Sequence, residues 1–85
     1  MRRLNDFVQE HNNYYGKFHG YWDLNNASHR QDIAQEIDCQ LSPENLHCDG
    51  EISHTEAMRK LRRLNAVAKE LLALDPTVTI YEYYG

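Results

Sequence analysis

Between Ile52 and Leu74 the chain carries a long amphipathic helical pattern that opens on a capping signal and stops at a proline. Ser53 stands three residues before Glu56, the spacing at which the serine oxygen accepts from a first-turn N–H while the glutamate reaches back to the cap. Ala57, Leu61, Leu64, Ala68 and Leu71 then recur at spacings of four, three, four and three, with Met58, Val67 and Leu72 widening the stripe. That period puts them on one face of an α-helix. Asp75-Pro76 ends it, because proline disfavours helical dihedrals in the residue before it and has no N–H to donate. At about 1.5 Å per residue the helix 54–74 is about 30 Å long, the width of a small domain, so the rest of the chain must pack against it.

Eighty-five residues make a single small helical domain, 1–85. So short a chain buries only about 60–65% of the surface its unfolded form exposes, which leaves a thin stability margin. A homodimer would widen that margin, and one is expected. The hydrophobic fraction of 41% is slightly below the usual range, while the aromatic fraction of 11% is not low enough to suggest disorder. No apolar run is long enough to span a bilayer, and Met1-Arg2-Arg3 leads into Asn5, Asp6, Gln9 and Glu10 where a signal peptide would turn apolar. A cytoplasmic protein without a membrane partner is the expectation.

Before the long helix, Asn25, Asn26 and Ser28 compete as caps for a second helix over Ala27 to Gln40, with Ile33, Ile37 and Leu41 repeating every four residues. Ser42-Pro43 restarts a single short turn that aims Leu46 inward. His47 to Glu51 reads as a turn, and Ile52 is placed for a hydrophobic staple. The N-terminal third supports two readings. Leu4, Phe7, His11, Tyr14, Phe18, Tyr21 and Asn25 keep a helical spacing, widened by Val8, Tyr15 and Trp22, yet Asn12-Asn13, Gly16 and Gly20 each weaken a helix interior. The preferred reading takes the helix to Tyr15 and then a break after which it can resume, 17–24 being helical or irregular and extended, and core packing accounts for Tyr14, Phe18 and Tyr21. Thr77 to Tyr84 has the β-branched and aromatic content of a short strand, which needs a partner: the helices, residues 17–24, or a second protomer. The predicted fold is therefore mainly α, a compact bundle of two to three helices, with a short C-terminal extended or β segment in which 76–85 serves as a docking tail.

Chemistry-bearing clusters are weak. In a reducing compartment Cys39 and Cys48 are expected as free thiols, Cys39 buried beside Ile37 and Leu41, and in an oxidising one a single disulfide is the alternative. Zinc at Cys39, His47, Cys48 and His54 is a remote alternative, since the spacing matches neither a paired CxxC nor a helical HExxH. A Cys48–His54 nucleophile pair lacks a third group to hold the base. No calcium loop or glycine-rich phosphate cradle is present. The chain reads as a non-enzyme without a cofactor.

Charge is divided unevenly. Leu4 to Glu51 holds nine acids and two bases, a net of −7, whereas Ile52 to Leu74 holds five bases and two acids, a net of +3. Arg59, Arg62 and Arg63 can cluster, with Lys60 at the edge and Lys69 further along. The first explanation is internal pairing with Asp32, Glu36 or Asp38, and with Glu56 along the helix. An acidic protein surface comes second and nucleic acid third, the latter opposed by the overall charge of −4. Tyr81, Tyr83 and Tyr84 add a second candidate interaction surface on the tail. The expected function is that of a small accessory or regulatory protein binding another protein through a helical surface. A nucleic-acid-associated modulator using the basic face of helix 54–74 is the alternative, followed by a structural oligomer component.

Overall fold

The computed structural model describes residues 2–47 and 53–83, and among them it contains four helices: α1 (Arg2–His19), α2 (Ala27–Leu41), α3 (Pro43–His47) and α4 (His54–Leu74). The additional helix relative to expectation is α3, the short turn begun by Pro43. Ser53 caps α4 as its spacing predicts, its side chain accepting from the Glu56 N–H. At the other end the Asp75 N–H still reaches the Leu71 carbonyl before Pro76 takes over. Asn26 wins the contest for the α2 cap, accepting from both Ser28 and His29. Ile52 and the 48–51 turn lie outside the described residues, as does Tyr84.

α4 is the hub, packing against both α1 and α2, while α3 bridges α2 and α4. The core draws Leu4, Phe7 and Val8 from α1 and Ile33, Ala34, Ile37 and Leu41 from α2. Leu64, Val67, Ala68 and Leu71 face them from α4, and Val78 closes one side. Glu70 of α4 also accepts from the Leu4 N–H at 3.3 Å, so an otherwise orphaned donor of the first turn of α1 is satisfied by another helix.

α1 does not stop at Tyr15; it runs through Gly16 to His19 and ends where Gly20 adopts a φ of 87°. The Gly20 N–H closes on the Gly16 carbonyl at 3.0 Å. Gly16 is buried because the ring of Tyr21 folds back over it, and a Cβ there would overlap that ring. Asn12, counted against a helix, secures the following loop: its amide accepts from the Trp22 N–H at 2.8 Å and donates to the Trp22 carbonyl at 3.1 Å. Assigning Tyr14, Phe18 and Tyr21 to the core is also wrong, for all three are exposed. α1 extends past the elements that bury its first half.

The tail forms no strand, and none occurs among the described residues. It turns at 76–77 and again at 81–82 while lying across the helices. Its hydrogen-bond needs explain this. Asp75 accepts from the Thr77 N–H and hydroxyl, and Asp38 of α2 accepts from the Tyr81 N–H at 3.0 Å and the Glu82 N–H at 2.7 Å. A carboxylate on a helix thus replaces the partner strand that the sequence pattern called for. Arg30 adds a second tie, donating from Nε to Asp75 at 2.7 Å and from Nη1 to the Leu24 carbonyl at 2.8 Å.

Candidate interaction surface on α1 and α4

The apolar stripe of α1 is longer than the surface that covers it. Leu4, Phe7 and Val8 are buried, and the same helical spacing continues through His11, Tyr14, Tyr15 and Phe18. Yet Tyr14 is 78% exposed and Phe18 82%, on an ordered helix. A single exposed aromatic is unremarkable, but a run of them continuing a core face marks a surface suited to a partner.

Beside this stripe lies a groove of about 480 Å³ between α1 and α2. From α1 it receives Glu10, His11, Tyr14, Tyr15 and His19, with Phe7 at its inner end. Glu36 and Gln40 form the α2 wall and Arg63 reaches in from α4. His11, Tyr15 and His19 repeat every four residues, so their rings form a ladder, with centroids 5.4 Å apart for His11–Tyr15 and 5.8 Å for Tyr15–His19. Tyr14 lies 6.2 Å from Tyr15. On its other side His11 stacks on Trp22, centroids 3.4 Å apart and planes within 6°, and Trp22 stacks in turn on Phe7. Burial holds the His11 pKa below 6.5; the Glu36 carboxylate opposes that shift and His19 reinforces it. Arg63 pairs with Glu10, and Glu36 accepts from the Gln40 amide at 2.8 Å.

The basic residues of α4 are used differently from expectation. Asp32, Glu36 and Asp38 do not pair with them: Asp38 holds the tail, Glu36 bonds Gln40, and Arg63 takes Glu10. Lys60 donates to the Asn45 carbonyl at 3.3 Å. Arg59, Arg62 and Lys69 are exposed and make no ion pair among the described residues. Helical spacing sets Arg59, Arg62 and Lys69 on the side of α4 away from its buried stripe and Arg63 on the flank toward α1, whereas Lys60 falls nearer the core. Of the tail tyrosines, Tyr81 is exposed and Tyr83 packs half-buried against the core, so the two do not present one surface.

Cys39 is exposed, not buried. Its apolar neighbours Ile37 and Leu41 are two positions away, which on a helix is about 200° of rotation, so they face the core and Cys39 does not. Asn45 donates to its sulfur at 3.4 Å and to its carbonyl at 2.6 Å. Of the zinc set, Cys48 and the side chain of His47 lie outside the described residues, which place only Cys39 and His54. Among the described residues no group of three histidine, cysteine or acidic side chains is arranged to hold a metal, and no helix is long and apolar enough to cross a membrane.

The groove has no distinct signature in the sequence. Its signal was present in the i, i+4, i+8 spacing of His11, Tyr15 and His19, but that spacing has the same period as a core stripe. No family model, curated protein or solved structure matches the chain.

Proposed function

We propose that this is a non-enzymatic accessory or regulatory protein that binds another protein through the uncovered half of α1. The observation that supports this reading is the exposure of Tyr14 and Phe18 in continuation of the buried Leu4, Phe7 and Val8 stripe. Aromatic side chains on a rigid helix bring large contact area at little entropic cost, the composition that dominates binding energy in protein interfaces. The tail plays a supporting part, since its backbone is committed to Asp38 and to the core.

The test is affinity capture from the native host with the wild-type chain and with a Tyr14→Ser/Phe18→Ser variant. Both positions are exposed, so the variant should keep its helical circular-dichroism signal. It should lose partners that the wild type retains, as identified by mass spectrometry. Recovery of the same partners at the same yield would sink the reading.

A second reading, a nucleic-acid-associated modulator, draws on Arg59, Arg62 and Lys69, which make no ion pair among the described residues. Phosphate contacts by these side chains would weaken steeply as salt rises. Titration of labelled duplex and single strands at low salt decides it: no binding there removes this alternative.

A further inference from the structure

We infer that the groove between α1 and α2 receives an arginine side chain from a basic segment of the partner, its guanidinium stacked on the Tyr15 ring and paired with the Glu36 carboxylate. This rests on the protein-binding reading and specifies the chemistry of what is bound.

Three observations converge. The first is the ring ladder of His11, Tyr15 and His19 with Tyr14 alongside, which offers π faces over much of one wall. A planar cation is attracted to such faces, and arginine stacks on them more readily than the compact ammonium of lysine. The second is the position of Glu36 on the opposite wall. It is half-buried, it makes no ion pair among the described residues, and the amide of Gln40 fixes its carboxylate. A carboxylate held in this way accepts the forked donors of a guanidinium, the stronger class of charged hydrogen bond. The third is that the chain already places one arginine here: Arg63 enters the groove and pairs with Glu10. Glu36 is a second carboxylate with no such cation.

The surrounding field agrees. Glu10, Glu36 and Arg63 leave the groove lining a net of −1, the sign that favours a basic segment over an acidic one. A volume of about 480 Å³ falls within the range of about 300–1,000 Å³ typical of small-ligand pockets. It accommodates one long side chain with adjoining backbone. An acidic or apolar segment would gain nothing from Glu36 and would leave its charge desolvated without a counter-ion.

The probe is a fluorescein-labelled peptide of alternating arginine and serine, compared with matched peptides carrying citrulline or norleucine, at a pH of about 7.5 where histidine is largely neutral. Binding is read by anisotropy and by the fluorescence of Trp22, the single tryptophan, whose stacking on His11 reports occupancy of the groove. The arginine peptide should bind saturably with a change in Trp22 emission, and the citrulline peptide at least about tenfold more weakly. Glu36→Gln and Tyr15→Leu should each weaken arginine binding by about tenfold, whereas Arg59→Gln should not weaken it. Equal affinity for the citrulline peptide, indifference to both groove variants, or no binding at all would overturn the inference. So would a sedimentation mass of twice 10.0 kDa that Tyr15→Leu returns to monomer, because the groove would then belong to a second copy of the chain. If Tyr14→Ser/Phe18→Ser abolishes partner capture while the arginine peptide fails to bind, the docking face stands and only the arginine assignment falls.

Discussion

The side-chain amide of Asn12 pairs with both backbone polar groups of Trp22, accepting from its N–H and donating to its carbonyl, as one strand residue would to another. This reciprocal bond sets the indole between Phe7 and His11 and forms one side of the groove's support. Asn12→Ala should cost about 1–3 kcal/mol in denaturant unfolding, because it strips two partly buried backbone groups of their partners. It should also red-shift Trp22 emission. A stable variant with unchanged emission would mean that the loop is held by something else.

Leu64 is buried at the centre of the α4 stripe, whereas Leu61 is half-buried one turn earlier. Leu64→Ala should therefore cost about 2–4 kcal/mol. Leu61→Ala should cost clearly less. Equal losses would show that the inner face of α4 is misassigned.

The two glycines that flank the end of α1 should respond in opposite ways. At Gly20 the positive φ strains any side chain, so Gly20→Ala should lose about 1 kcal/mol. At Gly16 the obstacle is the ring of Tyr21, itself exposed and able to swing into solvent, while alanine gains about 1 kcal/mol of helix propensity. Gly16→Ala should thus be close to neutral. Thermal melts of the two variants, compared side by side, measure the difference.

Acid should loosen the junction between α4 and the tail. The Thr77 hydroxyl, then Arg30, then the Thr77 N–H hold the pKa of Asp75 at about 2, down from 3.8. Since the unfolded chain takes up its proton first, this stabilisation is complete above about pH 4 and is lost as pH falls through about 2. Asp75→Asn should flatten the acid limb of a plot of urea midpoint against pH within that window. Parallel curves for variant and wild type would count against it.

His11 titrates in the same direction but nearer neutrality. Burial lowers its pKa from 6.5, so the fold favours the neutral ring, and its contribution is complete above 6.5 and declines as pH falls below that value. An NMR titration should place the His11 midpoint below 6.5, with Trp22 emission changing in step. A midpoint above 6.5 would show that Glu36, not burial, governs this ring.

How legible the molecule was depends on whether each determinant is local. α4 could be drawn almost to the residue, because Ser53, the apolar period and Pro76 all act within a turn of where they stand. The end of α1 is set by residues beyond the helix. Gly16 and Asn12 do disfavour a helix locally, and Trp22, bonded to the Asn12 amide from beyond the helix end, offsets that cost. The tail has β propensity, but its hydrogen-bond acceptor is Asp38, over forty positions away, which no short-range pattern encodes. The groove escaped notice for a similar reason: periodicity says which residues share a face, not how far the covering helices reach along it.

Because α1 and α2 both rest on α4, the order of synthesis matters. Synthesis runs from the N-terminus, so Leu4, Phe7, Ile33 and Ile37 are made before Leu64, Val67 and Leu71, the residues that bury them. Hydrogen bonds from Leu4 to Glu70 and from Arg30 to Asp75 span 66 and 45 positions, so they form only after α4 has been made and released. Until α4 is available the apolar faces of α1 and α2 have no covering partner, so the interval before its release is the one in which the protein is most open to chaperones and to aggregation.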